Sequence, residues 1–333
     1  MRSDTAPRPA PADMTGMTDM IVTIGETLAE IMAEQTGHGF REPMALRGPY
    51  PSGAPAIFID QVARLGHPAG LVSCVGNDDF GMLNIERLRR DGVDVSAIRV
   101  APDQATGTAF VRYRPDGERD FVYNIRHSAC GLVSLTDQAL GLLDRARHLH
   151  VMGSSLFSFR IIDEVATALK HIRQRGGTLS FDPNIRKEML DIPEMRAAME
   201  MMLQHCDIFL PSGPELMMLT DAKTEDEAVR EILGAGVSEI VVKRGARGAS
   251  YYGRGETLHL PACPAQEIDP TGAGDCFGAT FVTCRLQGRA PRDSLRYANA
   301  AGARAVTVRG PMEGVSTFAE LDAVLAHGAG AAA

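Results

Sequence analysis

Short apolar runs rich in β-branched residues alternate along this chain with longer segments of helical period. The first run, residues 20–24, predicts a buried strand, and residues 54–65 predict a helix that ends at Gly66. Such alternation is typical of a parallel sheet that helices cover on both faces. Ligands of these sheets bind at the carboxyl ends of the strands. The later predicted strands are residues 71–75, 148–152, 178–181, 207–210 and 239–243, and the later predicted helices are residues 80–91, 161–175, 193–203 and 224–233.

Two stretches interrupt the alternation, residues 29–50 and 106–126, since both contain little helical period. In the second stretch, two runs of alternating polarity flank Pro115-Asp116-Gly117, which is typical of a β-hairpin. We therefore predict an α/β domain of three layers, α/β/α, with a mostly parallel central sheet. A small β-sheet lid is predicted over its edge, inserted from about 29–50 and 106–127.

The domain is expected to span residues 20–327. Residues 1–19, rich in Pro, Ala and polar side chains, are expected to be a disordered leader, and residues 328–333 a disordered tail.

Composition limits the classes of partner. The 333 residues carry 34 Lys and Arg against 42 Asp and Glu, a formal net charge of −8. This balance argues against a broad nucleic-acid surface, which needs a basic stripe to displace counterions. The sequence has no uninterrupted apolar run long enough to span a membrane, and its six cysteines include no C-x-x-C pair. We therefore expect a cytoplasmic protein with reduced thiols and no membrane or nucleic-acid partner.

Residues 267–279 (EIDPTGAGDCFGA) place a small-residue turn, Gly272-Ala273-Gly274, at the start of an apolar helix. Unpaired N–H groups and the positive end of the helix dipole converge at such a turn and form an anion site. Asp275 would point toward the same anion, which suits a group that accepts a proton during phosphoryl transfer to an alcohol. An Asp that merely caps the helix is the alternative, and this segment alone favours it. The adjacent Cys276 is expected to be a small buried filler.

Other segments favour the catalytic interpretation of Asp275 over the capping one. From residue 21 to residue 325 the sequence resembles the ribokinase (PfkB) family of sugar kinases. Residues 269–275 (DPTGAGD) resemble the family's C-terminal signature, which implies a ribokinase-like fold. The resemblance also implies that Asp275 is the catalytic base and that Gly272, Ala273 and Gly274 form the anion hole. Residues 52–66 resemble the N-terminal signature, with Ser52 in place of its first Gly.

The resemblance extends to the family's nucleotide site. Residues 241–248 resemble its strand and turn beside ATP, and residues 298–302 its late helix near adenine. Glu215 matches a motif linked indirectly to magnesium, although a Glu that only begins a helix is the alternative. The implied cofactors are ATP and Mg²⁺, with K⁺ in some members at a monovalent-cation site that Asp269 and Thr271 match. The residues expected to bind ATP are Ser212, Lys243, Gly245, Gly248, Thr271, Gly272, Gly274 and Asn299.

The resemblance implies a small-molecule sugar as the substrate, and residues 182–186 (DPNIR) resemble the corresponding segment of fructokinases and 2-keto-3-deoxygluconate kinases. The keto-deoxy-gluconate group carries a Tyr and an Arg on the cap strand, where this chain has Ala109 and Val111. We therefore predict ATP-dependent phosphorylation of a ketohexose of the tagatose or fructose type, with 2-keto-3-deoxygluconate kinase as the alternative. The residues expected to bind the sugar are Gly53, Asn124, Arg126, Arg186 and Asp275.

A function from another class remains open at this point, namely a sugar- or nucleotide-binding regulator on the same fold without catalysis. The intact Asp275 and Gly272–Gly274 speak against it. A Rossmann dehydrogenase is a poorer explanation, because no G-x-G-x-x-G follows the first strand, and the P-loop signature of another kinase class is absent from the sequence. An apolar cap strand at residues 121–125 makes a homodimer plausible.

Overall fold

The computed structural model describes residues 19–37, 39–116, 119–185, 193–253 and 255–330. The strands are β1 (Met20–Ile24), β2 (Leu28–Ala33), β3 (Leu46–Ser52), β4 (Ala69–Gly76), β5 (Ile98–Ala101), β6 (Gly107–Tyr113), β7 (Arg119–Asn124), β8 (Ala146–Met152), β9 (Thr178–Asp182), β10 (Ile208–Phe209), β11 (Glu239–Lys243), β12 (Ala249–Gly253) and β13 (Glu256–Leu260). The α-helices are α1 (Ala54–Arg64), α2 (Asp79–Arg90), α3 (Asp137–Arg145), α4 (Phe159–Gln174), α5 (Pro193–His205), α6 (Gly213–Met218), α7 (Glu225–Gly234), α8 (Ala273–Leu286), α9 (Pro291–Ala305) and α10 (Phe318–Gly330).

Within these described ranges, the main sheet has nine strands in the order β13-β12-β11-β10-β9-β8-β1-β4-β5. The pairings from β5 through to β11 are parallel, so the predicted parallel sheet is confirmed. The strands β12 and β13 add an antiparallel edge that the helical periodicity did not predict. Because the connected strands run in one direction, their carboxyl ends all meet at one edge of the sheet.

Two hydrophobic clusters cover the two faces of this sheet, as expected for alternating side chains on buried strands. In β1, Ile21 belongs to the cluster that includes α1 and α8, whereas its neighbour Val22 belongs to the cluster that includes α3 and α4. The helices therefore form layers on both faces of the sheet, in agreement with the predicted three-layer arrangement. None of the helices in the described part of the chain is long and apolar enough to cross a bilayer.

A second sheet stands apart from the first, with the strand order β3-β2-β6-β7. The strands β6 and β7 form the hairpin that the sequence predicted, with Val111 opposite Phe121. The strand β2 joins this hairpin in parallel, with Glu30 opposite Ala109. This sheet, called the small sheet below, consists of the two stretches that lack helical period.

Phe58 in α1 fixes the spacing between the main sheet and the helices that carry the site. Its ring stacks on His150 of β8, with centroids 3.6 Å apart and planes 3° from parallel. A Cβ added to Gly278 of α8 would lie 3.7 Å from the same ring. Phe58 is fully buried, so the ring sets how close α1 and α8 approach each other and the sheet.

We expect Phe58→Ala to lower the free energy of unfolding by about 3–5 kcal/mol, because it opens a cavity where three elements meet. Urea denaturation followed by circular dichroism measures the loss. Phe159→Ala is the matched control, since Phe159 is 67% exposed and its truncation should change stability by less than about 0.5 kcal/mol. Equal effects of the two substitutions would contradict this role for Phe58.

Candidate active site

A cavity of about 980 Å³ lies between the carboxyl edge of the main sheet and the small sheet. Its walls come from the turn after β1, the start of α8, the loop between β11 and β12, and β7 of the small sheet. Its size is that of a site for a ligand of nucleotide dimensions. The location agrees with the expectation that a sheet of this kind binds ligands at its carboxyl edge.

The segment before α8 is tied to a distant loop by the buried carboxylate of Asp269. Its Oδ1 accepts hydrogen bonds from the amide of Thr271 at 3.0 Å and from the hydroxyl of Thr271 at 2.8 Å. Its Oδ2 accepts from the amide of Gly310 at 3.0 Å. Gly272 follows with φ of 81°, and a Cβ there would lie 2.3 Å from the carbonyl oxygen of Pro311. Only glycine fits this position, both for its backbone angle and for space.

The first turn of α8 faces the cavity. The amide of Ala273 makes a long bond of 3.4 Å to the carbonyl of Pro270, and the regular helix pattern begins at Cys276, whose amide donates to the carbonyl of Gly272 at 2.8 Å. The first-turn amides before Cys276 have no helix carbonyl one turn earlier to receive them. Asp275 lies in this turn, 7% exposed, and lines the cavity together with Gly272, Ala273 and Gly274. The turn thus joins an anion site with a carboxylate.

Cys276 points away from this cavity into the core and is fully buried. Burial, with a smaller contribution from the charge of Asp275, raises the pKa of its thiol well above the ordinary value. The expectation of a small buried filler is therefore confirmed.

Lys243, at the end of β11, forms an ion pair with Asp182 at the end of β9. Its Nζ lies 3.8 Å from the position that a Cβ on Gly274 would take, so the ammonium faces the start of α8. Burial raises the pKa of Asp182, and the charge of Lys243 opposes that rise. Because both side chains are largely removed from water, each charge is stabilised mainly by the other, and the stability of the pair depends on their close contact.

Glu215 joins two loops through both of its carboxylate oxygens. Its Oε2 accepts from the amide and the hydroxyl of Ser212, each at 2.6 Å, in a capping box that begins α6. Its Oε1 accepts from the amide of Ile185 at 2.7 Å. Glu215 thus begins α6 and also holds the segment after β9 through Ile185. Glu215 and Ile185 both line the cavity.

One end of the cavity is mostly apolar. Phe277 of α8 and Val306 line it, and Asn299 of α9 donates from Nδ2 to the carbonyl of Pro261 at 3.1 Å. This bond holds the segment after β13 against α9. The remaining wall at this end contains Ala262, Cys263, Pro264, Ala265, Gly302 and Ala303, with Gly245 and Gly248 at its border.

The opposite end, beneath the small sheet, contains two buried carboxylates that the sequence analysis did not select. Glu26 accepts from the hydroxyl of Ser155 at 2.6 Å, and Glu30 accepts from the hydroxyl of Ser52 at 2.9 Å. Both lie within the described lining and are 4% and 3% exposed. Ser52 stands where the N-terminal signature has its first Gly, and its hydroxyl holds Glu30 in the cavity wall.

Arg119 of β7 is a further residue that the sequence analysis missed. Its Nη1 donates to the hydroxyl of Thr271 at 2.6 Å, so it links the small sheet to the segment before α8. Arg119, Phe121, Tyr123 and Ile125 line the cavity in strict alternation. Because side chains alternate between the two faces of a strand, knowing which face of β7 points inward would have identified these four residues from the sequence.

The structure brings most of the predicted site residues to this one cavity. Two of the described ones do not line it, Asn124 and Asp269. Asn124 points to the opposite face of β7 from Tyr123 and is exposed. Asp269 lies buried beneath the lining, and Arg186 lies outside the described residues. The predicted residues that line the cavity are Gly53, Arg126, Ser212, Glu215, Lys243, Gly245, Gly248, Thr271, Gly272, Ala273, Gly274, Asp275 and Asn299.

Arg126 reaches the cavity, but its guanidinium is engaged by the backbone. It donates to the carbonyl of Phe157 from Nη2 at 3.0 Å and from Nε at 3.3 Å. Gly53 has φ of 114°, and a Cβ there would lie 2.5 Å from the carbonyl oxygen of Glu26. Gly53 therefore serves close backbone packing at the turn that begins α1.

The residues present fit a nucleotide better than they fit a directly bound metal. The first turn of α8 and Lys243 supply donors and positive charge for phosphate oxygens, and the apolar end can take a flat base. In the described part of the chain, no three His, Cys, Asp or Glu side chains cluster as metal ligands. The carboxylate oxygens of Glu215 already accept three hydrogen bonds, so Glu215 has little capacity left to bind a divalent cation directly. Such a cation would be held mainly by the phosphate oxygens of the nucleotide.

Comparison with known proteins agrees with this chemistry. A sequence model for the pfkB family carbohydrate kinases matches residues 18–317. Fructokinase-1 from Oryza sativa subsp. japonica is 30% identical over 318 residues, covering 92% of this chain and 98% of the relative. Fructokinase from Escherichia coli is 29% identical over 317 residues, covering 92% of this chain and 99% of the relative.

Solved structures share the fold. An Escherichia coli protein provisionally called ribokinase II, in complex with ATP and Mg²⁺, is 51% identical, with a TM-score of 0.89 over 93% of this chain and 100% of that chain. Fructokinase from Vibrio cholerae O395, with bound fructose, ADP and calcium, is 26% identical, with a TM-score of 0.78 over 94% of this chain and 100% of that chain. The described fold is therefore the ribokinase-like α/β fold.

We expect Lys243→Met to lower the free energy of unfolding by about 3 kcal/mol, because Asp182, only 1% exposed, would lose its counter-charge. The double variant Lys243→Met with Asp182→Asn should recover part of this loss, since Asn carries no charge and can still accept the amide of Asn184. Chemical denaturation of wild type and the variants measures both effects.

Arg147→Met is the matched control, because Arg147 pairs with Asp19 at the surface, where both side chains are about half exposed. Its effect should stay below about 1 kcal/mol. A double variant as unstable as the sum of its two single variants would show that the pair is not coupled.

Proposed function

The chain belongs to the pfkB family of carbohydrate kinases, which are ATP-dependent, and we propose that its acceptor is a hydroxyl of a neutral ketohexose of the tagatose or fructose type. The observation that carries the proposal is the pair of buried carboxylates, Glu26 and Glu30, at the small-sheet end of the cavity. Asp275, in the first turn of α8, lines the same cavity.

The two ends of the cavity suit different ligands. A flat purine base fits the apolar end beside Phe277 and Val306, and its phosphates would then extend toward α8 and Lys243. A polyol fits the other end, where carboxylates accept hydrogen bonds from hydroxyl groups. This orientation places the terminal phosphate and the acceptor hydroxyl on either side of Asp275.

The charge at the acceptor end favours a neutral sugar over a sugar acid. Glu26, Glu30 and Asp275, all buried in the cavity wall, would repel a substrate carboxylate. Ala109 offers no charged group to the cavity, and Val111 is fully buried. Arg119 and Arg126 lie nearby, but both guanidinium groups already donate hydrogen bonds. Arg119 donates to the Thr271 hydroxyl and Arg126 to the Phe157 carbonyl. A sugar acid would have to disrupt these bonds to obtain a cationic partner.

We further propose that Asp275 is the general base. Its carboxylate takes the proton of the acceptor hydroxyl while that oxygen bonds to the γ-phosphorus. The bond from this phosphorus to the bridging oxygen breaks, and ADP leaves with the electron pair. The amides of Gly272–Gly274 form the anion hole that donates to the moving phosphoryl group, and Lys243 adds positive charge.

Magnesium, when bound to the nucleotide, neutralises phosphate charge. Ser212, Gly245, Gly248 and Asn299 serve in this scheme as walls of the nucleotide end, and Glu215 shapes that wall through Ser212 and Ile185. Asp269 and Thr271 hold the segment before α8, and a monovalent cation beside them is a further part of the proposal.

The small sheet acts in this scheme as a lid of one large α/β domain. It covers the acceptor end with Arg119, Phe121 and Tyr123, and its closure would exclude water from the transfer. Its outer face carries Val122, 57% exposed, which is consistent with pairing of two lids in a homodimer. The six cysteines are all free, in keeping with a cytoplasmic location.

A panel of acceptors tests the substrate class through sugar-dependent release of ADP from ATP. We expect kcat/KM for D-tagatose or D-fructose to exceed that for 2-keto-3-deoxygluconate by at least about tenfold, an energy difference of about 1.4 kcal/mol. Preference for the sugar acid would overturn the assignment to ketohexoses. Tight sugar binding without ADP release from any acceptor would support the regulator alternative instead.

Asp275→Asn should lower kcat by about 10²–10⁴, because the amide cannot accept the proton, while nucleotide binding stays within about threefold. Steady-state kinetics and calorimetric titration with an ATP analogue separate the two effects. Asp293→Asn is the matched control, since Asp293 also lies in the first turn of a helix, α9, but away from the cavity lining. Wild-type turnover by folded Asp275→Asn protein would refute the role of the base.

A further inference from the structure

Asn184 has an unusual backbone conformation beside the cavity. Among the described residues it is the one non-glycine residue with a positive φ, at 39°. Asn tolerates this left-handed region better than most residues, but the conformation still costs free energy. Such a residue persists only where its surroundings hold it in place.

Hydrogen bonds to carboxylates hold the backbone on both sides of this position. The amide of Asn184 donates to Oδ1 of Asp182 at 3.1 Å, and the amide of Ile185 donates to Oε1 of Glu215 at 2.7 Å. Asp182 is itself fixed by its ion pair with Lys243. Two carboxylates from different parts of the chain thus impose the strained turn.

The strained turn directs the Asn184 side chain toward Asp275. Its Nδ2 donates to Oδ1 of Asp275 at 3.4 Å and lies 3.9 Å from the sulfur of Met152. Asn184 is half-buried and lines the cavity. The bond to Asp275 is long, and bonds of this length within a site often shorten in the complex with ligands.

We propose that Asn184 is the positioning residue for Asp275, whose carboxylate it orients and keeps ionised by donating from Nδ2 to Oδ1. The inference rests on the proposed role of Asp275 as the base. A hydrogen bond to the charged form of a carboxylate stabilises that form, and a fixed carboxylate loses less entropy in the transition state. The strain at Asn184 is then the cost of aiming this amide.

The other charged groups around Asp275 make this donor important. Asp182, on β9, repels the Asp275 carboxylate, whereas Lys243, on β11, attracts it. Glu215, from α6, adds negative charge behind Asp182, and the Cys276 thiol beside Asp275 is buried and protonated. A neutral donor from Asn184 offsets part of the repulsion without adding charge.

Asn184→Gly removes the amide but keeps the backbone conformation, because glycine adopts positive φ without strain. We expect kcat to fall about tenfold, with KM within about threefold of wild type. The acidic limb of the kcat–pH profile should move up by about one pH unit, since the carboxylate loses a donor to its charged form. Asn77→Gly, at an exposed loop position away from the cavity, is the matched control and should change neither quantity.

Asn184→Asp also tolerates the backbone conformation but replaces the donor with a like charge. It should move the acidic limb further than Asn184→Gly does, because it adds repulsion at Asp275. A purely structural role for Asn184 would instead change the unfolding midpoint and leave the limb in place. The proposal is overturned if Asn184→Gly leaves the acidic limb of the kcat–pH profile in place and keeps kcat within about twofold of wild type.

The double variant Asn184→Gly with Asp275→Asn separates this proposal from the proposed function. If Asn184 acts through Asp275, the glycine substitution should change the residual rate of Asp275→Asn by less than about twofold. A full further tenfold loss would show that Asn184 acts elsewhere and would overturn the inference. Full activity in Asp275→Asn alone would refute the base, whatever Asn184 does.

Discussion

The start of α8 is the constraint on which the site depends. Gly272 can turn the chain into the helix there because it lacks a side chain against Pro311, and Asp269 holds the two segments together. The first-turn amides and Asp275 consequently face the cavity rather than the core. The carboxyl edge of the parallel strands then brings Lys243 and Asp182 opposite this turn, so fold and chemistry share one set of contacts.

The cavity proposed to bind an anionic nucleotide belongs to an acidic chain and is itself lined by carboxylates. The chain has a net charge of −8, and Glu26, Glu30 and Asp275 line the same cavity that we propose for ATP. Helix amides and Lys243 provide local positive potential where phosphate would lie. The carboxylates lie instead where we propose that hydroxyl groups bind, so the division of charge along the cavity would separate an anionic donor from a neutral acceptor.

The sequence predicted the alternating architecture and the Gly272–Asp275 turn, because both depend on local pattern. It did not identify Glu26 and Glu30, whose partners Ser155 and Ser52 are 129 and 22 residues away along the chain. Asn124, which the sequence predicts at the sugar, does not line the described cavity, since the inward face of β7 is set by its register with β6 and not by its own residues. The conformation of Asn184 likewise depends on the bond from the Ile185 amide to Glu215, which joins residues 30 apart along the chain and which no local motif encodes.

The most direct test of this account is a crystal structure with ADP, Mg²⁺, D-tagatose and a fluoroaluminate that mimics the transferred phosphoryl group. We expect fluorides within about 3 Å of amide nitrogens in Gly272–Gly274, and the acceptor hydroxyl within about 3 Å of the Asp275 carboxylate. The sugar hydroxyls should lie against Glu26 and Glu30. A fluoroaluminate held away from α8, with Asp275 out of reach of the sugar, would contradict it.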